Sequence, residues 1–134
     1  MASAHSSDNA QMPPAPWTRS NVLMDLELHG EWGFVKELID AFLKDTASRI
    51  ESMRKAASEA DMTVLASCGH SLKGSALLMN AVPLVRLSAE IERCARLNRQ
   101  RDYLSLIDCL DLALSEVCQA MTAYEQSLPQ NQPA

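Results

Sequence analysis

Between residues 18 and 128, apolar side chains recur at intervals of three and four. That is the repeat of helices with one face in a core. The pattern predicts a short helix over about 21–28, capped by Ser20 or Asn21 and ending near Gly30. A long helix follows over about 31–57, with Val35, Leu38, Ile39, Phe42, Thr46, Ile50, Met53 and Ala57 on its stripe. The stripe passes Asp45 without losing phase, so one helix is read. Asp61 is the N-cap of a third, over about 62–80. Pro83 falls in the first turn of a fourth, over about 82–97, where a missing N–H is harmless. Its stripe is Leu84, Leu87, Ile91, Cys94 and Leu97. Asp102 opens a fifth, with Leu104, Ile107, Leu110 or Asp111, Leu114, Val117, Met121, Tyr124 and Leu128 on its stripe.

No segment alternates convincingly with the period of a strand. Short connections between long amphipathic helices favour antiparallel neighbours. The expected fold class is therefore all-α: an antiparallel up-down four-helix bundle with one short additional N-terminal helix. Residues 1–17 are rich in Ser, Pro, Ala and Asn and read as a disordered leader or linker. Residues 129–134, "PQNQPA", read as a disordered tail, leaving 18–128 as the helical domain. Any four-helix bundle would show these stripes, so they say nothing about function.

Composition narrows the classes. Hydrophobic residues make up 47% of the 134, enough for a core, while four glycines and few aromatics favour helix over sheet. A net charge of −5 argues against nucleic acid as a partner, since such binders carry a basic patch. No apolar run is long enough for membrane insertion. The first residues lack the basic and apolar regions of a secretory signal, and a cytoplasmic location is expected. Cys68, Cys94, Cys109 and Cys118 form no CxxC pair and read as reduced thiols on helical faces. Cys68 and His70 alone have a metal-like spacing, and on a helix they point in different directions, so no metal site is expected.

The third helix contains the unusual chemistry. "GHSLKGSALLMNA", Gly69 to Ala81, places a histidine, a lysine and a glycine within five residues. At about 100° per residue, Leu65, Cys68, Leu72, Ala76 and Met79 share the core stripe, with Ser75 beside it. His70 then lies almost opposite. Thr63, Ala66, Ser67, Lys73, Gly74 and Leu77 fall within about 60° of it. An imidazole in water is largely neutral and nucleophilic near pH 7. Gly74, one turn on, keeps the adjacent surface bare despite its cost of roughly 0.5–1 kcal/mol in a helix. Lys73 can swing its ammonium towards an anion on the imidazole. Singly, each feature is ordinary on a helix surface. Together they suit holding a phosphoryl group on nitrogen while a bulky partner gives or takes it.

"HSLKGSALLMNA" resembles the signature of histidine-containing phosphotransfer (HPt) domains, H-x-L-K-G-S-[SA]-x-x-[LM]-G-A. "ELIDAFLKDTASRIESMRKAASEAD" and "LVRLSAEIER" resemble the family's preceding and following helices, so the likeness spans most of 31–125. The resemblance implies that His70 is the phosphoacceptor, Lys73 the cation beside the phosphoryl group and Gly74 the residue that leaves it accessible. Two positions depart from the pattern. Asn80 stands where glycine is usual, near a helix end where Asn can adopt the left-handed cap. Gly69 stands where alanine is commoner, and two glycines flanking His70 are expected to loosen the helix.

The reading is a phosphohistidine carrier that relays a phosphoryl group between aspartates of receiver domains in a two-component phosphorelay. It is not an enzyme in its own right. Its partners would be response-regulator receiver domains and a hybrid sensor histidine kinase, with Thr63, Ala66, Ser67 and Leu77 as docking surface and the chain a monomer. No cofactor is expected on this chain; the resemblance implies that Mg²⁺ and the acidic pocket belong to the receiver. No P-loop, glycine-rich nucleotide loop or kinase signature is present. An alternative is a non-phosphorylated helical module that docks and regulates a receiver or kinase. A metal or haem bundle built on His70, His29 and methionines is disfavoured, because His70 points outward and His29 sits near a helix end.

Overall fold

The computed structural model describes residues 17–129. The leader over 1–16 and the tail over 130–134 lie outside the described residues. Five helices follow one another: α1 (Asn21–Leu28), α2 (Trp32–Ser58), α3 (Met62–Leu78), α4 (Val82–Arg96) and α5 (Tyr103–Ser127). No strand occurs among the described residues. α2 packs on α3 and α5, α3 on α4, and α4 on α5, while α1 leans on α2. The contacts among the four long helices close a ring around one core of Ile39, Ile50, Met53, Leu65, Leu72, Leu84, Ile91, Ile107, Leu110 and Met121.

Local chemistry sets the helix ends. Ser20 Oγ accepts from the Leu23 N–H, Asp61 Oδ1 from Val64 and Asp102 Oδ1 from Ser105, each satisfying an N-terminal orphan donor. Gly30, Ala60, Asn80 and Asn98 take positive φ just after α1, α2, α3 and α4. Each turns the chain so that the next amide reaches back five residues, as Ala81 N–H does to Ala76 O at 2.8 Å. α3 therefore ends at Leu78, two residues short of the periodicity's reading, because Asn80 is its left-handed cap.

Trp17 belongs to the fold rather than to the leader. It is buried, donates Nε1–H to Met79 O at 2.7 Å, and meets Tyr124 edge-on with ring centroids 5.3 Å apart. Asn80 secures the same strap by donating Nδ2–H to Thr18 O at 2.9 Å. Glycine at this position could make the turn but not that bond.

Three stripes differ from the sequence reading, that of α5 in that Leu104 faces water while Tyr103 and Ala113 are buried. On α3 the buried residues are Leu65, Ala66, Gly69, Leu72 and Ala76, whereas Cys68 and Ser75 are only half-buried. On α4 they are Leu84, Ser88, Ile91, Glu92, Cys94 and Ala95, and Leu97 faces water. α3 and α4 meet along small residues. A Cβ on Gly69 would stand 3.1 Å from Ser88 O and 3.2 Å from Glu92 N, so glycine is what lets the two backbones approach. Gly69 thus serves the close packing of α3 on α4.

Candidate functional site

The close α3–α4 contact turns α3 by roughly 40° from the phase its apolar residues suggest. His70 consequently stands at the edge of the exposed face, beside α4, rather than opposite the core. Its side chain is 63% exposed. Gly74, one turn on, has nothing within 4 Å of where a Cβ would sit. Thr63, Ser67 and Leu77 are exposed around it, Leu77 at 61%. Ala66 is the exception: only 5% exposed, it packs into the α3–α4 seam. It forms the floor of a shallow groove with Met62, Thr63, Ala95, Arg96 and Asn98 rather than a free docking residue.

The imidazole is anchored. His70 Nδ1 lies 3.0 Å from Oε2 of Glu92, a residue that the apolar pattern assigned no place. The Glu92 side chain is only 10% exposed and gathers three more contacts. Arg96 donates Nε–H to Oε2 at 2.9 Å and brings its terminal nitrogen to the same distance. Lys73 Nζ sits 2.9 Å from Oε1, so the lysine of the motif is paired with a buried carboxylate and only about one-third exposed. Burial alone would push Glu92 above the usual carboxylate range. Hydrogen bonds from Lys73, Arg96 and His70, with the Lys73 charge, outweigh it and hold the group at about 2.

At neutral pH Glu92 is therefore ionised and can only accept hydrogen bonds. The proton of the His70–Glu92 bond must then belong to Nδ1, so Nε2 is the ring nitrogen left to react when the imidazole is neutral. A nucleophilic nitrogen on a fixed ring, two cations within one side chain's length, and a bare glycine surface suit acceptance of an electrophilic phosphorus.

His70, Lys73, Gly74, Thr63, Ser67 and Leu77 are thus brought to one face, as their spacing indicated. Glu92 and Arg96 were missed, since a charged residue on an amphipathic helix is read as outward. The available signal was Ser88 and Glu92 continuing the Leu84 register at four-residue steps, opposite a glycine on the facing helix. His29 lies at the end of α1, where Nδ1 donates to Asp25 O at 2.9 Å. All four cysteines are free thiols. No described helix is long and apolar enough to cross a membrane.

Fold and site together define a class: an all-helical domain with one tethered imidazole at the surface of a bundle. The chain belongs to the Hpt domain family, whose model matches residues 37–120. Its structure is similar to that of histidine-containing phosphotransfer protein B (HptB) from Pseudomonas aeruginosa PAO1. The two are 27% identical, the match covers 84% of this chain and 97% of that one, and the TM-score is 0.75. No curated protein matches the chain. Membership makes the protein a phosphotransfer carrier of two-component phosphorelay signalling.

Proposed function

We propose that this carrier moves a phosphoryl group between aspartates of receiver domains, with His70 as its phosphoacceptor. The observation that carries this reading is the His70 ring itself, exposed and held through Nδ1 by Glu92. A receiver bearing an aspartyl phosphate docks over His70, and Nε2 attacks phosphorus in line. The aspartate carboxylate leaves, and a second receiver later reverses the step. Positioning and charge do most of this work, because phosphoryl transfer needs little covalent machinery.

Lys73 supplies charge to the phosphoryl oxygens once it leaves Glu92, and Gly74 gives the receiver room. Thr63, Ser67 and Leu77 provide docking surface, while Ala66 shapes it from below. Mg²⁺ stays with the receiver. A hybrid sensor histidine kinase is the upstream partner, and the carrier acts as a monomer in the cytoplasm. The ring of helix contacts and the short turns support an antiparallel up-down arrangement of α2–α5 with α1 appended.

The test is incubation with a panel of labelled, phosphorylated receivers. The carrier is expected to take up label in an acid-labile, base-stable form, and His70→Gln to take up none while keeping its helical content. Receiver binding with no label transferred would instead favour a regulatory docking module.

A further inference from the structure

Charge is unevenly divided over this bundle. The segment from Met62 to Arg101, which forms α3 and α4, carries six lysines and arginines against two glutamates. The segment from Asp102 to Ser127, which forms α5, carries five aspartates and glutamates and no lysine or arginine. α3 and α5 stand across the ring of helices from one another. The net charge of −5 therefore hides a basic side that bears His70 and an acidic side turned away from it. Arg54 of α2 is shared by Asp108 and Asp111, which leaves the acidic side negative. On the basic side each glutamate is also shared by two cations: Glu90 by Arg93 and Arg101, Glu92 by Lys73 and Arg96. Both clusters therefore stay positive. Arg86 and Arg99 are exposed and pair with no carboxylate among the described residues. Because Gly69 lies against Ser88 and Glu92, the neighbouring His70 is flanked along α4 by Arg86 on one side and by Arg96 and Arg99 on the other.

We propose that the α3–α4 side is an electrostatic docking face for a receiver whose surface around its phosphorylated aspartate is acidic, with Arg86 and Arg99 as the side chains that select it. This rests on the phosphocarrier reading and specifies the partner. The aspartyl phosphate is itself anionic, but it does not account for the spread of charge. Arg86 and Arg99 lie about 20 Å apart at helical rise, so they cannot both reach one phosphoryl group. Their counterparts are carboxylates on the partner surface around it. An unpaired guanidinium keeps its whole fork of donors for such a carboxylate and can grip it through two parallel bonds. The chain as a whole is acidic and repels an acidic receiver from a random approach, and α5 repels it most. Attraction is confined to the side on which His70 stands. A field of this kind orients the encounter before contact and raises the association rate. The same two arginines penalise a receiver with a basic rim, because like charges would face each other.

The experiment measures the rate at which the carrier takes label from a limiting amount of phosphorylated receiver, using the receiver that loads the native chain fastest, over a range of salt concentrations. Arg86→Ala combined with Arg99→Ala removes two positive charges from the basic side. Ser115→Glu combined with Gln119→Glu lowers the net charge by the same amount at exposed positions of α5. The arginine pair should load about tenfold more slowly than the native chain at low salt. That deficit should vanish at about 1 M salt, where the screening length is about 3 Å. The α5 pair should stay within about twofold of the native rate throughout. At saturating receiver all three chains should transfer alike, with the same helical content by circular dichroism. Equal slowing of the two pairs would mean that net charge matters and its placement does not, which overturns the proposal. Native-like loading by the arginine pair at low salt overturns it as well, as does native loading that speeds up when salt is added. Salt-sensitive association of the native chain with itself would assign the face to α5 of a second copy and also overturn it. Failure of every receiver to load the native chain would instead contradict the phosphocarrier reading itself.

Discussion

Two glutamates on neighbouring helices show how this bundle decides where charge survives. Glu92 on α4 and Glu125 on α5 are both largely withdrawn from water. Glu92 meets Lys73, Arg96 and the His70 ring and is held at about 2. Glu125 faces Asp40 from α2, with Lys36 the cation that partly offsets it. Burial first, then the hydrogen bond to Asp40 and its charge, push Glu125 up to about 7. Burial acts in the same direction on both, so the neighbours decide the outcome. The fixed anion stands beside the one imidazole raised from α3. The carboxyl that holds its proton more tightly stands beside another carboxylate, Asp40.

The two glycines flanking His70 make the same contrast in packing, and they give the largest expected effects. Gly74→Leu meets no neighbour and gains roughly 0.8 kcal/mol of helix propensity, so thermal stability should hold or rise. Its side chain would nevertheless stand in the receiver's approach to Nε2. A displacement of about 1 Å from attack geometry slows transfer on the order of a hundredfold, which single-turnover kinetics would register. Normal transfer in this variant would mean that Gly74 is not there for access. Gly69→Ala should behave oppositely. Its Cβ presses on the backbone of Ser88 and Glu92, and overpacking of this kind costs about 1–3 kcal/mol in denaturant unfolding. Unchanged stability would show that the α3–α4 seam has slack.

Leu77→Ala sharpens the separation of docking from chemistry. If this exposed leucine anchors the receiver, calorimetry should show binding weakened by about 1–2 kcal/mol, with transfer at saturating receiver nearly normal. Lys73→Ala should preserve docking and slow transfer. Unchanged affinity in Leu77→Ala would place the anchor elsewhere on the face.

The smallest effect belongs to Glu125. Its raised pKa means the folded state binds the proton more tightly than the unfolded chain. Stability is therefore full below the ordinary carboxylate range and declines as pH rises towards about 7. Glu125→Gln removes the titration and should raise the melting temperature by about 3 °C at pH 8 and by almost nothing at pH 4. Glu92 has the opposite sign. Its contribution is present above the ordinary carboxylate range and is lost as pH falls through about 2.

The two sides of the site also differ in how far the sequence reveals them. Helix ends are local chemistry, so Ser20, Asp61, Pro83 and Asp102 could be placed from their neighbours alone. Asn80 could be read as a left-handed cap, but its bonds to Thr18 join residues 62 apart. His70, Lys73 and Gly74 share one helix and one motif, which fixes their relation to one another. Their phase against the core was less legible. Gly69 and Ala66 carry too little apolar surface to mark a stripe, and Cys68 drew the reading towards itself. Glu92 was hidden for a different reason. Its burial depends on a tertiary contact through Gly69 and on partners spread over two helices, and neither appears in the periodicity of α4.

A complete relay tests the central claim most directly. Label is placed on the aspartate of one receiver, and its appearance on a second is followed with no carrier, with the native protein and with His70→Gln. The account predicts that label reaches the second receiver only in the presence of the native protein, passing through an acid-labile form on the carrier. Label arriving equally well with His70→Gln would contradict it.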